Sequence, residues 1–79
     1  MTYIVLEMQT SGGVTAIVPP LSYTDRNAAE SKFHQILATA ATSAVEEHAA
    51  SLLTSDGRLI RNECYRHPVE EEVNQEPEP

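Results

Sequence analysis

One stretch of this chain, and only one, repeats its apolar residues at helical spacing. Ala29, Phe33, Ile36, Leu37 and Ala40 recur at steps of three and four, while Lys32, Gln35 and Thr39 fall on the other side, which predicts an amphipathic helix. Asp25 is the expected N-cap, with Asn27 and Glu30 offering a second capping box one turn later. The alanines at 28, 29, 38, 40, 41 and 44 let the helix backbone approach a sheet closely. No glycine stop follows, so fraying is expected near Thr42 and Ser43. With 79 residues and a single helix, the rest of the core has to come from strands.

Strand character flanks the helix on both sides. From Thr2 to Gln9 the chain is rich in branched and aromatic residues, with Ile4, Leu6 and Met8 alternating with Tyr3, Val5 and Glu7. Gly12-Gly13 then supplies a turn into Val14–Val18, and Pro19-Pro20, lacking N–H donors, is expected to end that second strand. Val45 to Thr54 and Arg58 to Tyr65 read as a second hairpin around Ser55-Asp56-Gly57. The inward parity of the third strand is open between His48-Ala50-Leu52 and Ala49-Ser51-Leu53, and Ala49 or Ala50 is expected to share the buried side with Cys64.

The order ββαββ predicts a two-layer α+β fold: a four-stranded, mainly antiparallel sheet with one helix on one face. The other face is left uncovered, and Tyr3, Val5, Ile17 or one parity of the third strand would put apolar residues there. A homo-oligomer built sheet to sheet or edge to edge is the expected consequence.

The net charge of −7 is unevenly placed. Residues 1–67, read as a single domain, carry seven acids against five bases, a net of −2. The other five acids, Glu70, Glu71, Glu72, Glu76 and Glu78, lie among Pro68, Pro77 and Pro79, and residues 68–79 are expected to form a solvated acidic tail that serves solubility. Five basic residues beside such a tail would release few counterions, so nucleic acid is excluded as a partner. No apolar run approaches the roughly 20 residues of a bilayer span, which excludes a membrane helix. A lone cysteine and no secretory leader point to a reducing, cytoplasmic setting.

Catalytic motifs are absent: there is no nucleophile elbow, phosphate loop or dinucleotide fingerprint, and no cofactor is expected. One cysteine and the scattered His34, His48 and His67 do not make a metal site. Cys64 and His67 fall on opposite strand faces, so Cys64 reads as a core or semi-buried structural residue. Glu46 and Glu47 likewise diverge and are expected to face solvent, while Glu30 and His34 form a weak i, i+4 pair. A non-enzymatic protein is the expectation.

Two recognition clusters remain. Tyr23, Arg26 and Asn27 sit at the helix start, where free N–H groups favour an anion, and capping is the plainer reading. Arg61, Tyr65, Arg66 and His67 sit on the last strand, where a charged, aggregation-resistant edge is the plainer reading.

The run Tyr-Ile-Val-Leu-Glu-Met-Gln-Thr from Tyr3, the segment from Tyr23 to Ala38, and Leu-Ile-Arg-Asn-Glu-Cys-Tyr-Arg-His near the end resemble short proteins encoded by phages and prophages of Gram-positive gut bacteria. The resemblance covers residues 2 to 67 and carries no catalytic motif. It implies a phage origin and not an activity; in that setting the expectation is a counter-defence role in the infected host cell, sequestering a nucleotide-like immune signal or blocking a host defence protein. Arg26, Arg61, Arg66 and His67 would then neutralise phosphates, and Tyr23 or Tyr65 would stack on a base. The alternative is an accessory structural protein of the phage tail or lysis region that assembles through its open sheet face.

Overall fold

In a computed structural model that describes residues 1–67, the chain forms β1 (Tyr3–Ser11), β2 (Val14–Tyr23), α1 (Arg26–Thr42), β3 (Glu47–Thr54) and β4 (Leu59–Arg66). The fold is α+β: the four strands pair antiparallel in one open sheet of order β2-β1-β3-β4, with α1 packed on one face. The two hairpins lie side by side, β1 and β3 meeting in the centre, and α1 carries the chain from the β2 edge across β1 to β3. The expected acidic tail lies outside the described residues.

β2 does not stop at Pro19-Pro20 but runs on to Tyr23. The register passes from Val5 opposite Leu21 to Glu7 opposite Val18, so β2 carries one residue more than β1 across the two prolines. This bulge lies on an edge strand, where an absent N–H donor on the outer side removes no ladder bond. Two glycines at positive φ, Gly12 at 59° and Gly13 at 80°, close the preceding turn.

The helix face of the sheet is set by Leu21, Val5 and Leu52, which lie opposite one another on β2, β1 and β3. Val5 and Leu52 are buried with Ala29, Phe33, Ile36 and Ala50, and Tyr3, Tyr23, Leu37 and Ile60 pack around them. The apolar stripe of α1 is thus the one its spacing predicts. On β3 the inward parity is His48, Ala50 and Leu52, which resolves the choice the sequence leaves open. On β1 the expectation is reversed: Val5 is core and Tyr3 packs against it, whereas Ile4, Leu6 and Met8 take the uncovered face. Ile17, opposite Met8, lies on the uncovered face as anticipated. The reversal requires Glu7 to sit under the helix, and it does so by bonding to buried His48.

Both helix ends are tied by side chains. Asp25 has extended backbone angles, and its Oδ1 accepts a hydrogen bond from the Asn27 N–H at 3.3 Å. At the other end Ser43 leaves the helix at φ −74°, ψ 151° and donates its N–H to the Ala40 carbonyl. His67 Nε2 lies 2.8 Å from that same oxygen, so the residue after β4 holds the C-terminus of α1 in place of a glycine stop.

Candidate ligand groove

A site-like cleft of about 480 Å³ runs along the seam between α1 and β4. Phe33, His34 and Leu37 line it from the helix, and Ile60, Arg61, Glu63 and Tyr65 from the strand. Its position follows from the sheet order: α1 lies over the central strands, and the edge strand β4 extends past it on one side. A register shift between Leu52 and Leu53 makes Ile60 the extra residue of β4, and Ile60 packs against the core cluster beneath the cleft.

Glu30 is tied to two of the residues that line this groove, Arg61 and His34. Arg61 Nε approaches its carboxylate at 2.5 Å, Arg26 Nε at 3.3 Å and His34 Nε2 at 3.8 Å. The hydrogen bond from Arg61 holds the Glu30 carboxyl below its ordinary value, with Arg26 adding to the effect and partial desolvation opposing it. Two guanidiniums share the Glu30 carboxylate, and Glu63 lines the same groove with a second carboxylate. Both arginines remain about half exposed, at 52% for Arg26 and 47% for Arg61, so a solvent-borne anion can reach them. His34 also meets the Phe33 ring edge-on, at 5.4 Å between centroids.

The sequence candidates separate in space. Arg26 and Arg61 come together through Glu30, and Tyr65 lines the same groove. Arg66 lies elsewhere: it pairs with Glu47 at 3.2 Å, opposite it in the β3–β4 register. His67 is taken up by the Ala40 carbonyl, Asn27 donates its backbone N–H to the Asp25 cap, and Tyr23 packs against the core. With the Asn27 N–H already held by Asp25, the helix start is a capped end, and its cation Arg26, the first residue of α1, pairs with Glu30 as Arg61 does.

Several side chains have roles the sequence reading did not give them. Glu46 accepts the Gly12 N–H at 3.1 Å and Glu47 bonds Arg66, so both carboxylates fix neighbours and are half-buried rather than free in solvent. Cys64 is exposed, contrary to the expected core position, because it lies opposite Ala49 while the inward parity belongs to His48 and Ala50. The largest omission is the pair Glu7 and His48, with Oε2 and Nε2 2.6 Å apart and His48 only 2% exposed. Glu7 also accepts from Gln9 Nε2 at 3.1 Å, while His48 Nδ1 is buried without a partner. These residues are 41 apart in sequence, and only the antiparallel register of β1 with β3 brings them together.

Among the described residues no group of three or more His, Cys, Asp or Glu is placed to hold a metal ion, and no helix is long and apolar enough to cross a membrane. No protein-family model, no curated protein and no solved structure matches this chain.

Proposed function

We propose that this is a non-enzymatic binding protein whose α1/β4 groove takes a small phosphate-bearing ligand. The observation supporting this reading is the convergence of Arg26 and Arg61 on Glu30, with Arg61 lining a cleft of ligand-binding size. Glu30 holds the two guanidiniums in place while the site is empty. A phosphate carries more negative charge than a carboxylate and accepts paired N–H bonds from arginine, so it competes for the same donors. Phe33, Leu37 and Ile60 give an apolar floor for the flat face of a base, with Tyr65 beside it.

In the phage setting implied by the resemblance of residues 2–67, such a protein acts in the cytoplasm of the infected cell by sequestering a nucleotide-like immune signal. Capture needs a preformed pocket and no chemical step. Blocking a host defence protein would use the same groove with an acidic side chain in place of the phosphate.

The test is native mass spectrometry of the full chain, alone and with a panel of cyclic mono-, di- and trinucleotides, repeated on Arg61→Ala and Arg26→Ala. A nucleotide adduct weakened at least about tenfold by each substitution is expected, since a charged hydrogen bond contributes roughly 1.5–3 kcal/mol. Adducts that persist unchanged in both variants, or a chain that binds no member of the panel, would overturn the groove assignment.

A second reading, an accessory structural protein of the phage tail or lysis region, is favoured by the apolar residues Ile4, Leu6 and Met8 on the uncovered sheet face. Mass spectrometry of purified virions distinguishes the two, because a structural protein is present in the particle and a sequestering protein is absent from it.

A further inference from the structure

We infer that the uncovered sheet face is a homodimer interface, across which two copies stack sheet to sheet into a four-layer α–β–β–α assembly. The inference rests on that face alone and stands whether or not the groove binds an anion.

The strand registers arrange the face in rows. Ile17, Met8, Ala49 and Cys64 lie side by side across the sheet, and Ser22, Ile4, Leu53 and Leu59 do the same four residues away along β1, with Leu6, Ser51 and Asn62 in the row between them. Ile17 is 62% exposed and Leu59 53%, and none of the other apolar members of these rows is fully buried. Two apolar rows joined through Leu6 and crossed by one internally bonded polar pair, Ser51 and Asn62, mark an interaction surface on so small a chain.

The polar chemistry of the face, with one pair beside Leu6 and two toward the other end of the strands, suits a second copy as the occupant. Ser51 donates to Asn62 Oδ1 at 2.9 Å, the Thr10 and Thr15 hydroxyls bond each other at 2.8 Å, and Glu47 pairs with Arg66. These polar groups are satisfied within the protomer, and the one pair of charges cancels. The face therefore presents neither net charge nor an unmet hydrogen-bond code to a distinct partner, and an identical face meets no like-charge repulsion. Its size also fits: four strands about 4.8 Å apart and about 27 Å long cover about 500 Å² per copy, so a pair buries about 1,000 Å², the threshold of a specific interface.

Edge-to-edge pairing is the less favourable arrangement. Pro19-Pro20 and a bulge interrupt β2, a second register shift interrupts β4, and Arg61, Glu63 and Arg66 charge the β4 edge. Burial supplies the drive. Among the described residues the large buried side chains on the helix side are Val5, Phe33, Ile36 and Leu52, so a second apolar layer adds much of what a chain this short lacks.

Sedimentation equilibrium of the full chain at tens of micromolar tests the proposal. The expected mass is twice the 8.7 kDa of one chain. Ile17→Lys and Leu59→Lys alter side chains already more than half exposed in the protomer, so circular dichroism should show an unchanged fold while the dimer dissociation constant rises at least roughly 30-fold. Val14→Lys, at a residue 70% exposed but in register with Ser11 on the helix side of the sheet, should leave the dimer intact. A wild-type mass of one chain, or an assembly that both lysine variants leave unchanged, would overturn the interface.

Discussion

Arg61 of β4 reaches across the seam to α1 and places its Nε 2.5 Å from a carboxylate oxygen of Glu30, joining residues 31 apart in sequence. This contact lowers the proton affinity of Glu30, so its contribution to stability has a definite sign with pH. A carboxyl held below its ordinary value of 4.5 stabilises the fold fully above that value and loses the contribution as pH falls through the lowered one. Because both arginines are about half exposed, solvent screening limits the effect to about 0.5 kcal/mol. Unfolding free energies of the native chain and Glu30→Gln in urea should differ by that amount at neutral pH and converge as the pH falls below the lowered value. A constant difference across the range would contradict the assignment.

The same cluster predicts a gain of binding. If an anionic ligand displaces Glu30 from Arg26 and Arg61, Glu30→Gln removes the competitor's charge and leaves both guanidiniums exposed to it. Titration calorimetry with the nucleotide that the native chain binds best should give several-fold tighter binding for this variant. Weaker binding would mean that Glu30 positions the arginines more than it competes for them.

The helix, the two hairpins and the Asp25 cap were legible because each depends on local pattern: apolar spacing over Ala29–Ala40, glycines at the turns, and a short acceptor before the first turn. The sheet faces were not. On β1 both parities are apolar near the strand start, so alternation does not say which side meets the helix; the line Leu21, Val5, Leu52 decides it, and that line exists only after three strands have paired. Glu7 on the helix side then looked like an argument for the opposite parity until His48 arrived from β3. The groove was half legible. Arg61 and Tyr65 stood out as a cation and an aromatic on one strand, but their convergence with Arg26 on Glu30 depends on where α1 crosses the sheet.

Glu7 and His48 should behave as a buried polar pair. Glu7→Ala would leave His48 with both ring nitrogens unpartnered in the core, since Nδ1 already has no partner, at a cost of about 3 kcal/mol. Replacing both residues by apolar ones of similar volume, Glu7→Met with His48→Leu, should restore most of that loss. Chemical denaturation of the two single variants and the double variant forms the cycle that checks it, and additive losses would show that the pair is not coupled.

Gly57 offers a test of backbone conformation free of packing. Its φ is +93°, and a Cβ added there would meet no heavy atom within 4 Å. Gly57→Ala should therefore cost about 1–2 kcal/mol through the dihedral alone, with an unchanged denaturant slope. A neutral substitution would mean that the Ser55–Gly57 turn relaxes to negative φ without disturbing the Thr54 carbonyl that Gly57 bonds at 2.9 Å.

Pro19 and Pro20 should protect the β2 edge rather than build the fold. Both lie on a strand paired on one side only, and their lack of N–H groups leaves a gap in the row of donors that a foreign strand would need. The double variant Pro19→Thr with Pro20→Val restores those donors and places two β-branched residues in an extended segment. The variant should keep the native circular dichroism spectrum, because β2 already continues through the bulge at these positions to Tyr23. Its light scattering and thioflavin fluorescence should rise with time at concentrations where the native chain stays clear. If the variant remains as clear as the native chain, the bulge opposite β1, rather than the missing donors, is what guards this edge.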